Sequence, residues 1–239
     1  NKIKKQFGGS LKAFISGGGA LDQNIGEFLN AIGLPTLQGY GLTEASPIVS
    51  CNLLGQIKID TVGPAFKTNK IKIAEDGEIL IQGENVMLGY WNKKKETEEV
   101  IKNNWLYTGD IGEMDSDGFL KITDRKKDII VNFGGDNISP VKIENLLCLN
   151  ENIKQSFIYG DKKNYLVAIL VAEKNYTTQE LIAEYIKNLN NKLSSIEKIK
   201  KYFITNNEFT IENRMLTPTL KLRRKEIVKN YSNQIENLY

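Results

Sequence analysis

Residues 17–19 are three consecutive glycines between a strand-like and a helix-like segment, and this arrangement strongly constrains the fold. Residues 11–15 before the glycines are mostly apolar, and the apolar residues between 21 and 32 recur at helical spacing. Residues 33–35 then end the helix, and residues 35–38 are predicted to form a second short strand. A strand–helix–strand order favours an α/β fold whose ligand loops lie at the carboxyl ends of the strands.

Two Asp-Gly dipeptides, at 76–77 and 117–118, each lie between segments in which apolar and polar residues alternate. This combination is typical of β-hairpins. We therefore expect one hairpin over residues 70–81 and another over residues 111–123, with a short polar helix over about residues 93–102 between them. Together these elements predict a small β-barrel-like subdomain.

The segment from Asp124 to Asp128 consists entirely of charged residues, so it has no apolar side chain to bury and is predicted to connect two domains. We expect residues 1–124 to be the end of a large α/β domain and residues 125–239 to be a small α+β domain. The elements predicted in the small domain are strands at 129–132, 154–159, 165–171 and about 201–205, a helix from Pro140 to about Cys148, a helix from about Thr178, and a last helix with Ile227, Tyr231, Ile235 and Leu238 on one face.

The chain of 239 residues contains no histidine, which excludes Ser-His-Asp and Cys-His catalysis and metal sites built on imidazole. Any chemistry must therefore use lysine, arginine, carboxylates, backbone amides or a bound cation. The formal net charge of +3 is too small to indicate a nucleic-acid partner. Cys51 and Cys148 have no metal-binding spacing and favour a reducing compartment. The longest apolar run, 165–172, is too short to span a bilayer.

The segment from Gln38 to Pro47 places glycines, an aromatic ring, a hydroxyl and a carboxylate in one turn-prone stretch. Glycine lets the backbone approach a ligand closely, an aromatic face can stack on a base, and a hydroxyl with a carboxylate can meet a phosphate and its Mg²⁺. The alternative for this segment alone is a surface turn before a helix.

Further segments accompany this one along the chain: Ser16–Leu21, Tyr107–Asp110, Gly118–Asp128, Gly134–Pro140 with Ile143-Glu144, and Thr217–Arg224. In this order and spacing, the segments resemble the adenylate-forming (AMP-binding) superfamily, which contains acyl-CoA synthetases, luciferases and the adenylation domains of peptide synthetases. The resemblance spans nearly the whole chain and is to the C-terminal portion of a long-chain fatty acid acyl-CoA synthetase.

The resemblance implies a set of residues that bind ATP or AMP: Gly18, Gly19, Ala20, Gln38, Gly39, Tyr40, Gly41, Thr43, Asp110, Arg125 and Lys221. The backbone of the glycine turn would line the adenine pocket, and Tyr40 would stack on the adenine. Thr43 would bond the α-phosphate, and Glu44 would hold Mg²⁺. Asp110 would accept hydrogen bonds from both ribose hydroxyls, and Arg125 would contact the ribose or a phosphate.

Each of these residues has a plain structural alternative: a tight turn for the glycines, a half-buried aromatic for Tyr40, a helix cap for Thr43-Glu44, a β-turn residue for Asp110, and solvated charges for Arg125 and Lys221. Lys127 matches the position at which the small domain of the family rotates between two half-reactions.

Lys221 is implied to act during adenylation, where it would bridge the carboxylate substrate and the α-phosphate. The family's usual glycine before this lysine is Leu220 here, a variant that resembles the long-chain branch, and Lys225 is the weaker candidate for the same role. With Lys221, Thr43 and Glu44 form the implied catalytic group. The turn from Gly134 to Pro140 would line the tunnel for coenzyme A.

The implied function is ATP-dependent activation of a fatty acid to an acyl-adenylate and then to acyl-CoA, with ATP, Mg²⁺ and coenzyme A. The alternatives are an adenylation domain that loads a carrier protein and a non-catalytic nucleotide-binding fragment. The family's phosphate loop and most of the acyl pocket have no match, so we expect a missing N-terminal part of the same enzyme and little activity in the isolated piece. The expected location is cytoplasmic, with peripheral association at the inner face of a membrane left open.

Overall fold

The computed structural model describes residues 2–19, 21–173 and 179–239. It divides into two compact units, residues 1–127 and 128–239. The division lies inside the charged segment, but Arg125 ends a strand, so residues 125–127 fall in the first unit and not in the second domain predicted from the sequence.

The first unit begins with the expected strand–helix–strand arrangement. After a short helix α1 (Lys2–Gln6) come β1 (Phe14–Ser16), α2 (Gln23–Ala31), β2 (Thr36–Gly41), a 3₁₀ turn (Thr43–Ala45) and β3 (Ile48–Cys51). Strands β1 and β2 are parallel, and β3 is antiparallel to β2. Because β1 and β2 run the same way, the glycine turn and the end of β2 lie at the same edge of this sheet.

Helix α2 packs through a glycine and leaves part of its apolar stripe in solvent. Gly26 is its buried residue, and a Cβ there would lie 2.7 Å from a methyl carbon of Ile59. Ile25 and Phe28, which the sequence predicted on an apolar face, are 54% and 61% exposed. The predicted strand over residues 11–15 is shorter and shifted, since β1 begins at Phe14.

A five-stranded antiparallel sheet completes the first unit, with the two hairpins and the intervening helix that the sequence predicted. Its elements are β4 (Asn69–Ile73), β5 (Glu78–Gly83), α3 (Lys94–Val100), β6 (Ile101–Lys102), β7 (Trp105–Met114) and β8 (Leu120–Arg125). The order is β4-β5-β7, and the long strand β7 pairs on its other side with both β6 and β8. Ile79, Ile81 and Leu120 have no exposed surface and pack in one core with Tyr40 of β2.

The second unit has a small hairpin, a three-stranded sheet and four helices within its described residues. These are β9 (Ile130–Val131), β10 (Asn137–Ile138), α4 (Pro140–Cys148), β11 (Ile153–Tyr159), β12 (Leu166–Ala172), α5 (Gln179–Asn190), β13 (Ile199–Thr205), α6 (Arg224–Asn230) and α7 (Ser232–Glu236). In the sheet, β12 is central, antiparallel to β11 and parallel to β13. Helix α4 begins where proline predicted, because Pro140 lacks the N–H that a first turn leaves unpaired and Ser139 caps the Lys142 amide at 3.3 Å.

Strand β12 separates two hydrophobic cores. Leu166, Ala168 and Leu170 pack with α4 and α5. Ile169 and Val171 pack with Phe157 and with α6 and α7. The alternation of side chains along a strand assigns them to opposite faces, so the unit has three layers with the sheet in the middle.

The last predicted helix is two helices. The backbone leaves helical geometry at Tyr231, where φ is −110° and ψ is 22°. Ile227, Tyr231 and Ile235 are buried as the stripe predicted, and Leu238 is half-buried. The predicted start of α5 at Thr178 lies outside the described residues. Among the residues that the structure describes, no helix combines the length and the apolar character needed to cross a bilayer.

Candidate functional site

The glycine turn lies against the end of β2. Gly18 has φ of +82°, which glycine adopts without strain, and a Cβ on Gly17 would lie 3.5 Å from the carbonyl oxygen of Gly39. Gly18 and Gly19 are exposed, and Ala20 lies outside the described residues. The turn therefore presents backbone to solvent beside the second predicted nucleotide-binding segment.

Gln38 fixes this turn through its side chain. It is 7% exposed, its Oε1 accepts a hydrogen bond from the Leu21 amide at 3.1 Å, and its Nε2 donates to the carbonyl of Ile59. Both ends of the amide are thus occupied inside the protein. The side chain acts as a support of the site, and a ligand would meet the backbone of this segment.

The segment after β2 turns tightly because of Gly41. A Cβ at this residue would lie 1.8 Å from the carbonyl oxygen of Pro47, and that carbonyl accepts the Leu42 amide at 2.8 Å. The loop closed in this way contains the 3₁₀ turn of Thr43 and Glu44. The Thr43 side chain is exposed and that of Glu44 is half-buried.

Glu44 has a partner that the sequence analysis missed. The Tyr90 hydroxyl donates to its Oε1 at 2.8 Å, and burial together with this carboxylate raises the pKa of Tyr90 to about 12. A hydroxyl contact fixes the direction of a carboxylate that the sequence predicts to be a metal ligand. No local signal marks Tyr90, because it lies 46 residues away from Glu44.

Tyr40, Asp110 and Arg125 form one cluster. The Tyr40 hydroxyl donates to Asp110 Oδ2 at 2.6 Å, and Arg125 Nε lies 3.0 Å from Asp110 Oδ1. Burial, followed by the Asp110 charge, raises the pKa of Tyr40 far above its usual value. Asp110 and Arg125 are directly opposed on β7 and β8. The Tyr40 ring is only 6% exposed, so it is more enclosed than its predicted stacking role suggested.

An open cleft of about 1160 Å³ in the first unit joins these two groups. Its lining includes Glu44 and Tyr90 at one part and Gly109, Arg125 and Lys127 at another. Asp110 is bonded to one of these lining residues and is itself buried. The cleft brings the predicted phosphate side and the predicted ribose side of the site into one space, and Gly18 and Gly19 are not among its lining residues.

A second group that the sequence analysis missed lies beside Asp110. Glu78 Oε1 accepts the Gly109 amide at 2.8 Å, and Glu78 Oε2 lies 2.8 Å from the Lys126 ammonium. Lys126 also contacts Asp76 at 2.6 Å. One lysine of the charged run at 124–128, which was predicted to connect two domains, is thus bound by two carboxylates.

Lys221 lies on a tight turn of the second unit. Leu216 and Leu222 bridge the turn, the Lys221 carbonyl accepts the Thr217 amide at 2.8 Å, and the Lys221 amide donates to Thr217 Oγ1 at 3.0 Å. Leu220 has φ of +60°, the backbone conformation in which the family's usual glycine is unstrained. The Lys221 side chain is exposed.

The donor set around Glu44 fits a Mg²⁺ ion that is shared with phosphate. The described residues contain no group of three or more acidic, cysteine or histidine side chains arranged for a metal. Mg²⁺ commonly takes one or two carboxylates and completes its shell with substrate phosphates and water. A single oriented carboxylate beside an exposed threonine hydroxyl matches that pattern.

Two family models match the chain. One, described as AMP-binding enzyme, matches residues 1–91, and the other, the AMP-binding enzyme C-terminal domain, matches residues 127–239. Long-chain-fatty-acid–CoA ligase FadD15 of Mycobacterium bovis is 35% identical over 261 residues, which is 100% of this chain and 44% of that protein. Long-chain-fatty-acid–CoA ligase 5 of Mus musculus is 32% identical over 276 residues, which is 100% of this chain and 40% of that protein. The chain thus spans less than half the length of these relatives.

Solved structures of O-succinylbenzoate coenzyme A synthetase from Bacillus subtilis are also similar. The complex with AMP has a TM-score of 0.76 and 26% identity, over 93% of this chain and 48% of that one. The complex with ATP and magnesium ion has a TM-score of 0.73 and 26% identity, over 94% of this chain and 49% of that one.

Proposed function

We propose that this chain, which belongs to the AMP-binding enzyme family, is the C-terminal portion of a long-chain fatty acid–CoA ligase that acts through an acyl-adenylate. Its similarity to ligases of that specificity covers the whole chain. The substrates would be a fatty acid, ATP and coenzyme A, and the products acyl-CoA, AMP and pyrophosphate.

In the first half-reaction, a carboxylate oxygen of the fatty acid attacks the α-phosphorus of ATP, and the bond to pyrophosphate breaks. In the second, the thiol of coenzyme A attacks the acyl carbon, loses its proton and displaces AMP. Two steps replace one unfavourable condensation because the adenylate is a better leaving group than hydroxide. The phosphoryl step needs positioning and charge neutralisation, which a chain without histidine can supply.

The described residues divide these tasks. Asp110 would accept the ribose hydroxyls, with Arg125 neutralising its charge, and Tyr40 would lie against the base. Thr43 would bond the α-phosphate. Glu44, oriented by Tyr90, would hold Mg²⁺, which supplies charge neutralisation at the phosphates when bound. Lys221 would neutralise charge that develops as pyrophosphate leaves.

The cluster of Tyr40, Asp110 and Arg125 carries this proposal. A carboxylate with both oxygens oriented, one by a hydroxyl and one by a guanidinium, is a pre-organised acceptor. The Asp110 side chain is 5% exposed and is bonded to Arg125, which lines the open cleft. That arrangement suits two adjacent hydroxyls better than a free cation, because the positive charge is already provided.

Calorimetric titration of the 239-residue chain with AMP tests the proposal. We expect saturable binding, and we expect Asp110→Asn to weaken it at least tenfold, because a hydrogen bond to a charged acceptor is replaced by one to a neutral amide. Asp115→Asn, at the far end of the same strand pair, is the matched control and should bind AMP as the unmodified chain does. Absence of AMP binding, or equal affinity in both variants, would refute the proposal.

A further inference from the structure

The backbone around Asp110 departs from regular strand pairing. The pairing register shifts between Glu78 and Leu80 on the β5 side of β7, and again between Ile111 and Gly112 on the β8 side. Gly109 lies in β7 between the residues that pair with Leu80 and Glu78, and it has φ of +71°. Such bulges leave backbone groups without a partner in the ladder, and those groups need another acceptor or donor.

Glu78 and Lys126 supply these partners. The Gly109 amide donates to Glu78 Oε1 at 2.8 Å, and the Gly109 carbonyl accepts the Lys126 amide at 2.8 Å. The Glu78 side chain is only 7% exposed, so its charge requires compensation. The Lys126 ammonium provides it through Glu78 Oε2 at 2.8 Å and reaches Asp76 Oδ2 at 2.6 Å.

The two carboxylates keep this lysine charged. The hydrogen bonds that Lys126 donates to Asp76 and, second, to Glu78 raise the pKa of Lys126 well above its usual value. In return, the hydrogen bond from Lys126 is the largest cause that lowers the pKa of Asp76. Lys126 and Asp76 therefore both remain charged at neutral pH, and the contacts of Lys126 connect the loop before β5 to the residue that follows β8.

This network lies directly beside the Asp110–Arg125 pair in the sequence of both strands. Gly109 immediately precedes Asp110, and Lys126 immediately follows Arg125. The Asp110 side chain is 5% exposed but the Arg125 side chain is 58% exposed, so burial holds the carboxylate and does not hold the guanidinium. Asp110 and Arg125 are opposed in the β7–β8 pairing, and Glu78 adds a second connection, because its carboxylate contacts both the Gly109 amide and the Lys126 ammonium.

We infer that Glu78 and Lys126 are positioning residues of the ribose site, and that their ion pair sets the spacing of Asp110 and Arg125 and thereby the selectivity for a ribose with its 2′-hydroxyl. This inference rests on the proposed function, because it assumes that Asp110 accepts the ribose hydroxyls. It assigns to both residues an effect on which sugar is bound, beyond an effect on stability.

The test compares AMP with 2′-deoxy-AMP by calorimetric titration of the 239-residue chain. We expect the unmodified chain to bind AMP at least tenfold more tightly, because a hydroxyl that meets a charged acceptor is lost in the deoxy ligand. We expect Lys126→Met and Glu78→Gln to reduce the ratio of the Kd for 2′-deoxy-AMP to the Kd for AMP to about threefold or less. Lys126→Arg should retain most of the ratio of the unmodified chain, since guanidinium keeps both carboxylate contacts.

Lys58 offers a matched control. Its ammonium lies 2.6 Å from Asp115 Oδ2 and 2.6 Å from Asp117 Oδ2, so it is also a lysine bound by two carboxylates, at the opposite end of the β7–β8 hairpin. Lys58→Met removes the same kind of contact from the same unit. It should leave the AMP to 2′-deoxy-AMP ratio at the value of the unmodified chain.

The possible outcomes distinguish a failure of this inference from a failure of the proposed function. An unmodified chain that binds no AMP refutes both. A chain that discriminates between the two ligands, with the ratio retained in Lys126→Met, refutes the inference alone. If Lys58→Met lowers the preference for AMP over 2′-deoxy-AMP as much as Lys126→Met does, the inference is also refuted. The loss would then reflect a general destabilisation of the first unit. If Glu78→Gln does not fold, the three lysine variants decide the question.

Discussion

Gly41 and Gly19 belong to the same proposed nucleotide site, yet the space around them differs. A Cβ on Gly41 would meet the Pro47 carbonyl oxygen at 1.8 Å, whereas a Cβ on Gly19 would have no heavy atom within 4 Å. Gly41 is therefore required by the close approach of two backbone segments. Gly19 has no such requirement, and its presence is consistent with access for a ligand.

We expect Gly41→Ala to destabilise the first unit by about 2 kcal/mol, because a methyl group there must displace backbone. Gly19→Ala should change the stability by less than about 0.5 kcal/mol, as is usual at an open surface position. Denaturant unfolding of the two variants, followed by circular dichroism, measures the difference. Equal stability of the two would show that the Gly41–Pro47 approach relaxes freely.

Leu220 is a residue in a conformation that leucine disfavours. Its φ of +60° places it in the left-handed region, and 68% of its surface is exposed, so packing offsets little of the strain. The turn that it forms presents Lys221. The sequence offered the clue, since the family's glycine is replaced here, but the strain is visible only from the backbone angle.

Leu220→Gly should stabilise the second unit by about 0.5–1 kcal/mol, since the left-handed penalty for an L-residue exceeds the extra entropy of glycine in the unfolded chain. Leu149→Gly is the control, because Leu149 is also exposed but has φ of −69°, and it should be destabilising. Differential scanning calorimetry reports both. A fall in the melting temperature of Leu220→Gly would contradict the assignment of strain.

At the scale of elements, the sequence predicted the secondary structure correctly wherever one residue type dictates a backbone conformation. The Asp-Gly dipeptides predicted both hairpins, and Pro140 predicted the start of α4. The break at Tyr231 was missed because its apolar neighbours keep helical spacing across it. The Glu44–Tyr90 and Glu78–Lys126 contacts were missed because they join residues 46 and 48 positions apart, which only tertiary structure brings together.

Helix α4 and helix α6 are joined by a buried ion pair. Arg224 donates from Nη1 to Glu144 Oε1 at 2.9 Å and from Nη2 to Oε2 at 2.7 Å, and Glu144 Oε1 also accepts the Ile158 amide of β11 at 2.8 Å. Arg224 lies three residues after Lys221, and its Nε is 3.6 Å from Asp128 at the start of the unit. The pair therefore fixes the helix that follows the Lys221 turn.

Glu144→Ala should destabilise the second unit by about 3–5 kcal/mol, because it removes the acceptor of the Ile158 amide and the two carboxylate oxygens that meet Nη1 and Nη2 of a largely buried guanidinium. The control is Lys154→Ala, which removes the exposed pair that Lys154 forms with Glu208 at 2.5 Å and should change the stability little. Urea denaturation compares them. Similar midpoints for the two variants would show that the buried pair adds no more than the exposed one.

At the scale of the whole molecule, each unit contains its own core, and apolar exposure is greater in the first. Among the described residues, seven large apolar side chains of residues 1–127 are at least 48% exposed, against four of residues 128–239. The second unit has two closed cores around its sheet. We therefore propose that residues 128–239 are an independently folding domain, close to the boundary predicted from the charge run.

A fragment of residues 128–239 should unfold cooperatively and give a dispersed amide spectrum. A fragment of residues 140–239 is the control, because it lacks Ile130 and Ile138, which are 6% and 2% exposed in the first of the two cores. It should melt at a lower temperature, since a core that loses two isoleucines keeps a cavity. Absence of a cooperative transition in the longer fragment would refute its independence.

Strand β12 has almost no contact with water, since Leu166 to Val171 are each at most 1% exposed, and it lies between two paired strands. Its amide protons can exchange with deuterium only when the surrounding layers separate. The slowest isotope uptake in the second unit should therefore occur at these six positions, and its rate would report the opening of the entire unit. Any ligand that binds only the folded unit would slow that uptake by a factor of one plus the ratio of the free ligand concentration to its Kd.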